Sequence, residues 1–281
     1  MNAQNIKVIV FDLDGTLYSE TSHFAYYAER LKERLPQDVQ DDFIRDYRAA
    51  EKKKHVIKVG RVYDVLHDLI LVHCDRIVTE AYEWNGYKIP EERVKWLYPE
   101  PLVIDNERQI SIGDFWWVPV PIAYHYGLDF DACHEAFLET RHYMMSPDFT
   151  MKKIPGLKET LEKLRTTNKL VLLTNSPEPD SRAILRKLDL DALFDQMIFN
   201  GKKPAQTLKH FAAIKEAFAV EYGEILSVGD NWVNEIYPVQ KLGVKTLFIN
   251  THELSPEHQA DVVVTHPEAI VAVLRRMAVE T

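Results

Sequence analysis

The feature that most constrains this chain is the placement of its six short apolar runs. Ile6–Phe11 (IKVIVF) stands alone near the N-terminus. After a long gap come Lys169–Asn175, Gln196–Asn200, Ile225–Gly229, Thr246–Asn250 and Asp261–Thr265. The runs are continuous rather than alternating and rich in β-branched residues, as expected of strands buried on both faces. Between the later runs, Gly156–Thr166, Asp180–Leu188, Thr207–Phe218 and Pro267–Met277 carry apolar residues at three- and four-residue spacing, the helical period. Strand and helix repeated in this way predict an α/β fold with a doubly wound parallel sheet.

The gap holds a region of different character. Residues 21–150 contain 20 of the 30 aromatics, 7 of the 11 histidines, and 16 lysines and arginines against 23 aspartates and glutamates. His23–Leu35, Val39–Lys54 and Arg61–Asp75 are predicted as amphipathic helices. Residues 84–127 are harder to read, because Pro90, Pro99, Pro101, Pro119 and Pro121 punctuate a run with four tryptophans. So large an excursion after one strand is expected to be a domain of its own. The organisation predicted is a core of residues 1–20 and 151–281 and a mainly helical inserted cap of residues 21–150.

Bulk composition excludes several function classes. With 46% apolar and 27% charged residues the chain has the makings of a packed core rather than a disordered one. Its net charge of −9 offers no overall basic surface for nucleic acid or anionic lipid. Cys74 and Cys133 cannot form a disulfide framework. No stretch reaches the roughly 18 apolar residues of a transmembrane helix, and MNAQNIKVIVF lacks the pattern of a signal peptide. A cytoplasmic location, with no nucleic-acid or membrane partner, is the expectation. Oligomeric state is not readable.

The chemistry is concentrated where the first run ends, at Asp12-Leu13-Asp14-Gly15-Thr16-Leu17. A D-x-D string alone is usually a turn or a helix cap. Directly after a buried strand it places two carboxylates near the C-terminal edge of the sheet, where ligands bind in this architecture. Strand alternation would aim the two side chains apart, and Gly15 can turn the backbone to bring them to one cleft.

The string resembles the signature of the haloacid dehalogenase-like hydrolase superfamily, phosphatase type. The later motifs of that superfamily follow in order. Leu172-Leu173-Thr174-Asn175-Ser176 is similar to the second, Lys203-Pro204 to the third, and Gly229-Asp230-Asn231-Trp232-Val233-Asn234-Glu235 to the fourth. The resemblance covers residues 1–20 and 151–281, and reaches the middle only as the usual place for a cap.

The resemblance implies a Mg²⁺-dependent phosphomonoesterase acting on a small soluble phosphate ester through an aspartyl-phosphate. Asp12 would be the nucleophile, and Asp14 the acid for the leaving oxygen and then the base for water. Thr174, Asn175 and Lys203 would bind the phosphate, with Lys203 also neutralising Asp12. Asp12, Asp14 through its main-chain carbonyl, Asp230 and Glu235 would form the metal set, Glu235 directly or through a water. Many relatives have Asp at the position of Glu235, so its reach is one methylene longer.

Three other readings share the fold. A 2-haloacid dehalogenase would have no use for the carboxylate set of Asp14 and Asp230. A phosphoryl-transferring mutase would share every motif, and a non-catalytic regulatory member would have lost turnover. The pairs His73-Cys74 and Cys133-His134 supply a zinc-like ligand set, but adjacent residues diverge around a helix, and packing is the expected role. Packing is also the expected role of Trp116-Trp117. An aromatic, acidic cap is expected to favour a nucleoside monophosphate or small sugar phosphate over polyanions.

Overall fold

The computed structural model of the protein describes residues 5–19, 21–105, 107–254 and 259–279. Residues 1–4, which belong to the stretch lacking a signal-peptide pattern, lie outside them. Along the chain, β1 (Val8–Phe11) is followed by α1 (Ser22–Arg34), α2 (Gln40–Glu51), β2 (Val62–Asp64), β3 (Leu69–Cys74) and β4 (Ile77–Tyr82). Then come α3 (Glu91–Leu97), β5 (Gln109–Ser111), α4 (Pro119–His125) and α5 (Phe130–Met145). The remainder comprises α6 (Leu157–Leu164), β6 (Lys169–Leu173), α7 (Glu178–Leu188), β7 (Gln196–Ile198) and α8 (Thr207–Phe218), then β8 (Ile225–Gly229), α9 (Tyr237–Gln240), β9 (Lys245–Ile249), β10 (Val262–Val264) and α10 (Ile270–Val279). Two compact units result: Met1–Glu20 with His142–Thr281, and Thr21–Arg141.

The first unit is built on a six-stranded sheet in the order β10-β9-β8-β1-β6-β7, with every pairing parallel. All six apolar runs supply its strands. The chain leaves β1 on one side to form β6 and β7, then crosses back to form β8, β9 and β10 on the other. That reversal makes the C-terminal end of β1 a topological switch point, where open α/β sheets bind ligands. Val8, Ile9, Val10 and Phe11 are all buried, which is why this run does not alternate. Val8 and Val10 pack with Val171, Leu173, Phe211, Ile214 and Val239 in one apolar cluster.

The second unit adds a sheet to the helices expected there. It holds a four-stranded antiparallel sheet in the order β4-β3-β2-β5, and the helix expected over Arg61–Asp75 is instead two strands and a turn. The apolar spacing there fits a helix, but local polar chemistry decides against one. Asp64 Oδ1 accepts the Leu66 N–H at 3.0 Å, and Asp68 takes a left-handed φ of +52°; both are turn devices. Val62, Tyr63 and Asp64 then pair with Leu71, Ile70 and Leu69. Asp75 and Arg76, at φ +49° and +70°, make the two-residue connection to β4, with both central residues left-handed as tight hairpins require.

Both faces of this small sheet are covered. Tyr63, Ile70 and Ile110 pack with Tyr27, Leu31, Phe43 and Tyr47 from α1 and α2. Val62, Leu71 and Ala81 pack with Val94 of α3 and Leu102. Trp116 is one ring in a cluster with His23, Phe24, Tyr27 and Phe137, at centroid separations of 4.8–5.6 Å. Cys74 ends β3 at the surface and Cys133 is buried on α5. No helix among the described residues is long and apolar enough to cross a membrane.

Candidate active site

Three neighbouring strands deliver three of the motif residues to one edge. Phe11 of β1 lies in register with Leu172 of β6 and Val228 of β8. Asp12, Thr174 and Asp230 each follow the last residue of their strand, so parallel pairing alone brings them to the same C-terminal edge. Asp12 is locked there by its N–H, which donates to the Val228 carbonyl at 3.0 Å. Gly15 has φ +75°, the left-handed turn expected after the D-x-D string.

Lys203 arrives from the loop after β7 and makes the central contact. Its Nζ, 2% exposed as a side chain, lies 2.7 Å from Asp12 Oδ1 and 2.7 Å from Glu235 Oε1. Asn175, just past the end of β6, holds the lysine in place. The Asn175 amide accepts the Lys203 N–H at 2.7 Å through Oδ1 and donates to the Lys203 carbonyl at 3.0 Å through Nδ2. Glu235 uses its other oxygen, Oε2, to accept the Asn231 N–H at 2.8 Å. The turn that carries it is pinned by Ser227 Oγ on the Glu235 carbonyl and Thr207 Oγ1 on the Asn234 carbonyl.

Burial and charge set the electrostatics. Burial pushes the Asp12 carboxyl above the usual aspartate range; the Lys203 ammonium opposes this, and the nearby charge of Asp14 adds to the rise. Burial likewise pushes Glu235 up to about 8, against the pull of Lys203 and with the push of Asp12. For Lys203, burial disfavours the charge, but Asp12 and Glu235 outweigh it and hold the ammonium above the ordinary lysine value. One cation is therefore shared by two buried carboxyl groups, each of which burial pushes toward its protonated form.

The other carboxylates complete the picture. Asp14 is bound by two hydroxyls, Ser176 Oγ at 2.6 Å on Oδ2 and the Tyr18 hydroxyl on Oδ1. Asp230 lies against the Gly15 backbone, where a Cβ would sit 2.2 Å from Asp230 Oδ2. Thr174 Oγ1 accepts the Ser176 N–H at 3.1 Å, which leaves its own proton to donate. Among the described residues, no group of three or more His, Cys, Asp or Glu side chains is gathered in metal-holding geometry.

Residues 128–249 match the haloacid dehalogenase-like hydrolase family. A glyceraldehyde 3-phosphate phosphatase of Pyrococcus furiosus is 31% identical over 137 residues, 45% of this chain and 56% of that protein. A second, from Pyrococcus abyssi, is 34% identical over 104 residues, 35% of this chain and 42% of that protein. The match thus spans about half the length of these curated relatives. Among solved structures, a haloacid dehalogenase-like hydrolase of Streptococcus pneumoniae superposes with a TM-score of 0.52 at 14% identity, covering 96% of this chain and 99% of that one. The hydrolase YfnB of Bacillus subtilis, solved bound to magnesium, gives the same score, identity and coverage. At that identity the likeness is one of fold.

Over residues 128–249, then, the chain resembles the haloacid dehalogenase-like hydrolases. The motifs point to Asp12, Asp14, Thr174, Asn175, Lys203, Asp230 and Glu235 but give no role to Tyr18, Ser176 or Asn231. Ser176 and Asn231 lie inside quoted motifs, yet only tertiary contact reveals what their polar groups meet. Tyr18 follows Asp14 by four residues across a turn, where spacing carries no periodic signal.

Gly15 gives a first prediction. Gly15→Ala would force a non-glycine residue into a left-handed conformation costing about 1–2 kcal/mol and drive its methyl into the Asp230 carboxylate. The expected result is a protein destabilised by at least that amount, since the Asp230 side chain must also move aside. Urea denaturation checks it, and wild-type stability would mean that the turn accommodates the methyl group at no cost.

Proposed function

We propose that this protein is a Mg²⁺-dependent phosphomonoesterase that cleaves a small phosphate ester through an aspartyl-phosphate on Asp12. The observation that carries the reading is the buried Lys203 ammonium 2.7 Å from Asp12, at the switch point of the sheet. A carboxylate already paired with a fixed cation can accept a phosphoryl group, whose spread negative charge then meets the same cation.

The donor set suits a hard cation. Asp12 and Asp230 follow neighbouring strand ends at one edge of the sheet, and oxygen ligands are what Mg²⁺ takes. Asp12, the main-chain carbonyl of Asp14, and Asp230 would hold it. Glu235 has both oxygens engaged, by Lys203 Nζ and the Asn231 N–H, and we place it as the anion that fixes Lys203 rather than as an inner ligand. When bound, Mg²⁺ would neutralise charge on the phosphate and on Asp12.

The remaining steps belong to the chain's own groups. An Asp12 oxygen attacks phosphorus while the bond to the ester oxygen breaks, and Asp14 gives that oxygen its proton. Water then attacks the phosphorus of the aspartyl-phosphate, Asp14 takes its proton, and inorganic phosphate leaves with Asp12 restored. Thr174 Oγ1 and the Lys203 ammonium would hold phosphate oxygens. The Asn175 side chain, engaged with the Lys203 main chain, acts by holding that lysine in place. The two archaeal relatives support a small sugar phosphate of the triose class as substrate, ahead of the nucleoside monophosphates.

The test is phosphate release from triose phosphates, other sugar phosphates and nucleoside monophosphates, with and without chelator. Activity is expected to vanish with EDTA and return with Mg²⁺, while Ca²⁺, with its larger and looser shell, restores little. Full activity after exhaustive chelation, or halide release from 2-haloacids without phosphate release from any ester, would overturn the proposal.

A further inference from the structure

We infer that Tyr18 and Ser176 form a hydroxyl clamp that positions Asp14 for proton transfer, an inference that rests on the acid–base reading of Asp14 above. The two hydroxyls come from different segments and take different oxygens of the same carboxylate, Tyr18 on Oδ1 and Ser176 on Oδ2. Asp14 itself sits in the turn before Gly15, where no regular element restrains its side chain. A catalytic acid loses effectiveness if it must search rotamers for the reacting oxygen.

Both clamp residues are themselves held. The Ser176 N–H donates to Thr174 Oγ1 at 3.1 Å and its carbonyl accepts the Asn200 N–H at 3.1 Å. The clamping hydroxyl is thus built on the same strand end as Thr174. Tyr18 is 1% exposed, and its main chain makes an antiparallel bridge to Lys153. With both main chains held, the two hydroxyls define where Asp14 rests.

The chemistry of a hydroxyl suits this task better than that of a cation. A carboxylate offers about four lone-pair sites, and two hydroxyls use two of them, so the clamp is compatible with a further contact to an ester oxygen or a water. Each hydroxyl can either donate or accept, so the clamp can persist whether Asp14 carries its proton or has given it up. A lysine or arginine in the same place would hold Asp14 in its charged form alone.

The experiment compares kcat on p-nitrophenyl phosphate, whose leaving group needs no proton, with kcat on glycerol phosphate, whose alkoxide does. Tyr18→Phe and Ser176→Ala are each expected to lower glycerol phosphate turnover by about tenfold, and the pair by about a hundredfold, within the range of a general acid's contribution. Losses on p-nitrophenyl phosphate should stay below about threefold, since proton donation adds little there. In an Asp14→Asn background the same substitutions should leave the ratio between the two esters unchanged, because the clamp acts only through Asp14. Each single variant tests the inference independently if the other fails to fold. Parallel losses on both esters, or a further fall in the ratio in the Asp14→Asn background, would overturn the clamp. Selective loss in Asp14→Asn with no effect of either hydroxyl overturns the clamp alone. Equal losses in Asp14→Asn overturn the acid–base reading and the clamp with it.

Discussion

Asp12→Asn is expected to reduce turnover of every phosphate ester by at least about a thousandfold, the scale of losing an essential catalytic group. The substitution keeps the size and the hydrogen-bonding capacity of the side chain. It removes the anion that attacks phosphorus, and a neutral amide is a poor nucleophile toward an already anionic phosphate. The fold should persist, because Lys203 retains its second partner, Glu235, at 2.7 Å. Single-turnover measurement with metal in excess, beside a circular-dichroism spectrum, decides the matter. Wild-type turnover from a folded, metal-replete Asp12→Asn protein would remove Asp12 from the chemistry.

Lys203→Met should also lower activity severely, and should be far more damaging to stability. The substitution leaves the buried carboxylates of Asp12 and Glu235 without their shared cation, and removing one partner of a buried pair costs about 3–5 kcal/mol. Both groups already lie above their ordinary pKa with the ammonium present, so without it they would be driven further toward the protonated form. Turnover should fall by at least about a hundredfold through lost charge stabilisation. Adding Glu235→Gln to Lys203→Met removes one of the stranded charges and should recover part of the stability and none of the activity. Urea denaturation of the two variants against wild type reads the first effect, and phosphate release the second. A Lys203→Met protein as stable as wild type would mean that the carboxylates find another cation.

Much of the fold is legible in the amino-acid sequence alone. The six apolar runs predict the strands because a strand buried on both faces must be continuously apolar, and Val8–Phe11 is buried throughout. The motif residues are legible because each lies just after such a run, and parallel pairing sends the ends of neighbouring strands to one edge. Arg61–Asp75 misleads for an equally physical reason. Its apolar residues satisfy helical and strand spacing alike, and the choice falls to the turn chemistry of Asp64, Asp68, Asp75 and Arg76. Residues 84–127 give no periodic signal because their described residues form two short α-helices, one three-residue 3-10 turn, a three-residue strand and proline-limited turns.

What the sequence determined by itself is the parallel sheet and the residue types at its C-terminal edge, since both follow from local patterns of burial and position. What only the tertiary structure decided is the partner of each charge. Glu235 turns its carboxylate to Lys203 and the Asn231 N–H, Asn175 grips the Lys203 main chain, and Asp14 lies between Tyr18 and Ser176. These contacts join residues as far apart as Asp14 and Ser176, or Asp12 and Lys203. A buried polar group must find whichever complementary partner the completed fold brings within about 3 Å, and periodicity carries no information about that encounter.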